Sequence, residues 1–79
     1  GALPSTVLVA GATGALGREV CARLAAAGVR VRALTRQATL PPALRPHVAE
    51  QATGDLTRPA TLDAACAGVD GVFSCAGAP

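Results

Sequence analysis

"VLVAGATGALGREV", Val7 to Val20, sets three glycines three residues apart (Gly11, Gly14 and Gly17) between an apolar run and an amphipathic one. Thr6-Val7-Leu8-Val9-Ala10 is β-branched and apolar instead of alternating, the mark of a strand buried on both faces. From Ala15 to Ala27 the period becomes helical. Leu16, Val20 and Leu24 recur on one face with Cys21 and Ala27 beside them, and Arg18, Glu19 and Arg23 lie on the other, where Glu19 and Arg23 form a favourable i,i+4 pair. Gly28 then stands where a helix C′ glycine belongs. The stretch reads as strand, tight turn, helix. Gly11 lets the chain leave the strand at an angle that a Cβ would obstruct, Gly14 admits close approach of a bound group, and Gly17 lets the first helical turn pack down. The first N–H groups of that helix lack intrahelical partners, and together with the helix dipole they favour a phosphate.

The remaining chain extends this pattern. "VRVRALT", Val29 to Thr35, alternates apolar and basic residues and reads as a second strand with an exposed edge or face. "RQATLPPALRPH" carries Pro41, Pro42 and Pro46, so a loop with at most one helical turn is expected in place of a crossover helix. Val48 to Thr53 is weakly strand-like, and "GDLTRP" is a loop. Pro59 suits the first turn of a helix running to Ala67, with Thr57 or Arg58 near its cap and Gly68 closing it. Val72-Phe73-Ser74-Cys75 reads as a short buried strand. The expected order is β-α-β-loop-β-α-β.

Composition narrows the functional classes. A chain of 79 residues makes at most one domain and buries about 60% of its unfolded surface. Nineteen alanines and a single aromatic, Phe73, leave the core few large anchors, so the chain is expected to be part of a longer protein. The net charge of +2 rests on seven arginines and no lysine. They are scattered and unaccompanied by aromatics, which gives no support to nucleic-acid binding. No apolar run approaches the ~18 residues of a membrane span, and no basic start marks a signal peptide. Cys21, Cys66 and Cys75 are odd in number and lack Cys-x-x-Cys spacing. They read as small hydrophobes of a reducing compartment, the cytoplasm or an organelle interior, and no metal-ligand set is apparent.

The glycine spacing is G-x-x-G-x-x-G, not the G-x-G-x-x-G of the standard dinucleotide fingerprint, and a glycine triplet alone is weak. Three further markers occur in order: "VRALTR" ending the second strand, "GDLTRPATL" after the third and "VFSCAGA" at the fourth. Together they resemble the N-terminal part of the short-chain dehydrogenase/reductase superfamily, most closely its atypical, isoflavone-reductase-like branch. The resemblance implies a Rossmann-like α/β fold, a doubly wound parallel sheet with strand order 3-2-1-4. Residues 1–79 would form the N-terminal part of one NAD(P)-binding domain. The rest of that domain or a larger assembly would be its partner. Ligands of such sheets bind where the strand order reverses, between the loops after Ala10 and after Cys75.

The resemblance also implies a cofactor site. Gly11, Thr13, Gly14, Ala15, Leu16 and Gly17 would form its phosphate loop. NAD-selective sites place an acid about 20 residues past the glycines, to bond the adenosine ribose. Here Thr35 and Arg36 occupy that region, a neutral residue and a guanidinium that suit a 2′-phosphate. NADP(H) is therefore favoured over NAD(H). Asp55 and Leu56 resemble the pair that borders adenine in relatives, with an Asp ordering a turn after Gly54 as the close second reading. Cys75, Ala76 and Gly77 would line the pocket near the nicotinamide ribose. The superfamily's catalytic members use a Tyr-x-x-x-Lys pair, or in some atypical members a lone Lys, and this chain has neither residue type. The expectation is an NADP(H)-binding segment of a reductase whose chemistry lies elsewhere in the protein. The alternative is a non-catalytic NADPH-binding regulator, structural subunit or assembly factor.

Overall fold

The apolar run that opens the glycine stretch forms β1 (Thr6–Ala10), and all five of its residues are buried. The computed structural model describes residues 6–36, 39–55 and 57–75. After β1 come α1 (Ala15–Ala26), β2 (Arg30–Thr35), a 3-10 turn (Arg45–His47), β3 (Glu50–Thr53), α2 (Pro59–Ala65) and β4 (Gly71–Ser74). The four strands form one parallel sheet in the order β3-β2-β1-β4. This is the Rossmann-like order expected from the sequence.

Alternation along β1 feeds two cores. Val7 and Val9 face α1 in a cluster with Ala12, Cys21, Val31, Ala33 and Leu44. Leu8 and Ala10 face the other way, with Leu34 and Ala65. A strand serving both clusters has no polar position to spare, which is why its sequence does not alternate. The proline-rich segment covers β2 without a crossover helix. Leu44 is fully buried, and Leu40 and Val48 pack beside it. α1 ends in a Schellman pair, with the Gly28 N–H donating to the Ala25 carbonyl at 3.0 Å and the Val29 N–H to Leu24 at 3.0 Å.

Three expectations are corrected. Leu16 is 60% exposed, not on the buried face. The buried residues of α1 are Gly17 and Cys21, because close packing at Gly17 turns that side of the helix inward. β4 is largely exposed, with Val72 at 56% and Phe73 at 49%. It is an outer strand, and the helices pack chiefly elsewhere, α1 on β1 and β2 and α2 on β3. α2 also ends at Ala65, two residues before the expected Ala67.

Arg32, read from sequence as a surface residue, serves the fold. On the α2 side of β2 its Nη1 donates to the Ala65 carbonyl at 2.8 Å and the Ala67 carbonyl at 2.6 Å. Its Nε donates to Glu50 Oε1 at 2.9 Å. One guanidinium thus joins β2, β3 and the carbonyl end of α2, where a cation is favoured. Arg32→Ala should lower unfolding stability by ~1–3 kcal/mol, the range for hydrogen bonds to a charged donor, as read by urea denaturation. Arg32→Lys should recover only part of it, because an ammonium lacks the planar fork.

Candidate functional site

The loops that follow the strands gather at the carboxyl end of the parallel sheet. The Gly54 N–H donates to the Thr35 carbonyl at 2.9 Å, and the Cys75 N–H to the Ala10 carbonyl at 2.8 Å. The ends of β3 and β4 are thereby fastened to those of β2 and β1. Between β1 and α1 the chain turns at Gly11, whose φ of +75° lies in the left-handed region that side chains disfavour. Gly17 packs directly beneath: a Cβ there would come 2.1 Å from the Gly11 carbonyl oxygen and 2.7 Å from the Ala12 Cα. A Cβ at Gly14 would meet only the Gly11 oxygen, at an ordinary 3.6 Å. No side chain caps α1. The N–H groups of Ala15, Leu16 and Gly17 have no acceptor among the described residues. That leaves donors and the positive end of a 12-residue helix at the rim of the sheet.

Beside this loop lies a cleft of about 680 Å3, within the size range of small-molecule sites. Thr13, Arg36 and Thr39 give it polar groups, and Leu40, Pro41 and Pro42 give it an apolar wall. Arg36 is exposed and makes no hydrogen bond or ion pair among the described residues. By contrast, Arg23 pairs with Glu19, and Arg30 and Arg32 pair with Glu50. A guanidinium with its donors unused, hydroxyls nearby and an apolar wall opposite can hold an anionic group joined to a flat ring.

Asp55 stands at the neighbouring loop. Its Oδ1 accepts the Thr57 N–H at 2.9 Å and the Thr57 hydroxyl at 2.8 Å. The Asp55 N–H in turn donates to Thr61 Oγ1 at 2.9 Å, fastening the loop to the start of α2. These bonds order the turn after Gly54. The bonds from the Thr57 N–H and then its hydroxyl hold the carboxyl below its ordinary value, with smaller help from Arg36 and Arg58. Glu50 is lowered too, first by the hydrogen bond from Arg32 and then by Arg30. For both groups the folded pKa lies below the unfolded one. The stabilisation is present above the unfolded carboxylate range and is lost as pH falls through it toward the folded values. The melting midpoint should therefore decline on acidification from neutrality through about pH 4, and Asp55→Asn should flatten part of that decline.

Of the residues expected at the site, Gly11, Thr13, Gly14, Ala15 and Leu16 occupy the loop and the helix start, and Arg36, Asp55 and Cys75 the ends of the other three strands. Gly17 is buried beneath the loop and supports it instead of facing the cleft. Leu56, Ala76 and Gly77 lie outside the described residues. Thr39, Leu40, Pro41 and Pro42 were not anticipated as a wall of the cleft. The available signal was the proline pair Pro41-Pro42 in the loop that follows the second strand, which stiffens the chain there. Among the described residues no cluster of His, Cys, Asp and Glu could hold a metal ion, and no helix is long and apolar enough to cross a membrane.

Comparison with known proteins agrees with this geometry. A family model described as NAD(P)H-binding matches residues 11–79. Over 67 residues the chain is 43% identical to the NAD(P)H azoreductase of Xenophilus azovorans, covering 85% of this chain and 23% of the relative. Over 74 residues it is 39% identical to the chloroplastic protein High Chlorophyll Fluorescence Phenotype 244 of Arabidopsis thaliana, covering 92% and 19%. A solved Bacillus halodurans structure, assigned as an NAD-dependent epimerase/dehydratase, superposes with a TM-score of 0.83 at 28% identity, over 95% of this chain and 35% of that one. A nucleoside-diphosphate-sugar epimerase from Pseudomonas aeruginosa gives 0.74 at 31%, over 89% and 23%. The chain thus spans about a fifth of the length of these curated relatives.

Proposed function

The chain belongs to the NAD(P)H-binding family, and from that premise we propose that it is the NADP(H)-binding segment of an oxidoreductase of the atypical short-chain dehydrogenase/reductase type. The observation that carries the choice of cofactor is Arg36, without a hydrogen-bond or ion-pair partner among the described residues, at the cleft beside Thr13 and Thr39, with Thr35 where an NAD-selective site has an acid. The loop fits the remainder. Its unpartnered N–H groups and the positive end of α1 would receive the pyrophosphate, and Gly14 leaves the approach clear of a side chain. Arg36 and the two threonines would hold the 2′-phosphate, while Leu40 and Pro41 would lie against the adenosine. The Asp55 Oδ2, beyond the Thr57 contacts, would accept from the adenine amine. Cys75 would border the nicotinamide end, with Ala76 and Gly77 beyond it.

The bound dinucleotide supplies a hydride. The chain's own residues bind and orient it. Having neither Tyr nor Lys, they offer no usual proton donor, so in this reading the donor comes from another part of the protein. The azoreductase likeness favours a reductase over a non-catalytic NADPH-binding protein. The test is to titrate the full-length protein with NADPH and NADH and to follow NADPH oxidation against carbonyl, quinone and azo acceptors. Tighter NADPH binding with turnover of one acceptor class is expected. Tight NADPH binding with no turnover across the panel would instead establish the regulator or assembly role.

A further inference from the structure

Two cysteines share the cluster beneath the glycine loop. Cys21 lies one turn beyond Gly17 on the inward face of α1, fully buried in the cluster that holds Val9 and Ala12. Cys75 follows β4, where Phe73 pairs with Val9. Two residues on, the alternation returns Cys75 to that same α1-facing side. Its N–H is bonded to the Ala10 carbonyl at 2.8 Å, and its side chain packs on the cluster containing Cys21. The third cysteine, Cys66, belongs to the cluster on the opposite face of the sheet. All three are free thiols.

We propose that Cys21 and Cys75 form a reversible disulfide that ties α1 to the end of β4 under the glycine loop. Burial pushes the Cys21 thiol up, and the neighbouring Cys75 adds to the effect. The burial difference sets the order of events. Cys75 is half-buried and meets solvent first. Its thiolate attacks a small-molecule disulfide, forming a mixed disulfide and releasing one thiol. Cys21 then attacks the Cys75 sulfur and expels the second thiolate, which takes up the proton that Cys21 gives up. Two protein thiols are oxidised and one external disulfide is reduced. The bond closes a loop of some fifty residues, so it constrains the unfolded chain strongly, and it fixes the floor on which Gly11 to Gly14 rest. The inference does not depend on which dinucleotide binds.

The full-length protein, reduced and then incubated with oxidised glutathione, should be quenched by alkylation and digested without reduction. Peptide mass mapping should find a cross-linked pair containing Cys21 and Cys75, two hydrogens lighter than the separate peptides, with Cys66 alkylated. The oxidised protein should melt ~5 °C or more above the reduced form. Cys75→Ser should abolish the cross-link and the shift. Cys21→Ala should leave Cys75 carrying glutathione. A cross-link to Cys66, Cys75 held as a glutathione adduct in the unaltered protein, or alkylation of both residues would each overturn the proposal.

Discussion

Gly17→Ala should be the most damaging single-methyl change in the chain, with a loss of about 3 kcal/mol or more and a melting midpoint lowered by more than ~10 °C. The added Cβ would stand 2.1 Å from the Gly11 carbonyl oxygen, 2.7 Å from the Ala12 Cα and 2.8 Å from the Gly11 carbonyl carbon. All three are backbone atoms, so no rotamer change relieves the overlap. Either α1 lifts from the sheet or the turn at Gly11 opens. Lifting α1 separates Cys21 from Val9 and Ala12, in a core whose interior is built of small side chains. Opening the turn disturbs a residue already held at a positive φ. Domains this small carry little spare stability, so either route approaches unfolding. Gly14→Ala is the control. Its new Cβ has an ordinary 3.6 Å contact, and the backbone φ of −75° suits any residue. It should melt within ~1 °C of the unaltered protein, yet bind NADPH at least ~10-fold more weakly if phosphate lies against that Cα. Calorimetric melting and NADPH titration of both variants separate support of the loop from contact with the ligand.

That contrast also indicates what the sequence could reveal. The order of elements was legible because β1 serves two cores and Gly11 and Gly17 have local steric reasons that a spacing pattern records, whereas the strand order followed from the family resemblance. Helix faces and strand exposure were less so. Leu16 has the right period for the buried face, but the closeness of Gly17 to Gly11 is a tertiary contact, and it decides which side of α1 turns inward. β4 has the composition of a buried strand, while its exposure depends on what lies beside it in space. Arg32 reads as one of two basic residues alternating along a strand. Only the position of the α2 carbonyls gives its guanidinium three acceptors. In the site, Arg36 could be singled out by its distance from the glycines, whereas the wall opposite it follows from how a proline-stiffened loop folds back.

Arg36→Asp should weaken NADPH binding by ~1–3 kcal/mol, about 5- to 150-fold, and leave NADH binding equal or improved. The argument is one of charge and pairing. Arg36 has no bond within the described protein to lose, so its removal costs the fold little. A bound 2′-phosphate would take two parallel N–H donors from a guanidinium already exposed at the cleft, with the Thr13 and Thr39 hydroxyls alongside. An aspartate there repels that phosphate, but it can accept from the ribose hydroxyls of NADH. The substitution also sets a second carboxylate near Asp55, whose pKa Arg36 helps to lower, so the Asp55 carboxyl should titrate higher in the variant. Because Arg36 is exposed, salt should screen the interaction. The NADPH preference of the unaltered protein should shrink between 0.05 and ~0.5 M NaCl, whereas that of Arg36→Asp should be small throughout. Equal losses for the two dinucleotides, or none, would make Arg36 an ordinary surface charge and move the 2′-phosphate reading off this cleft.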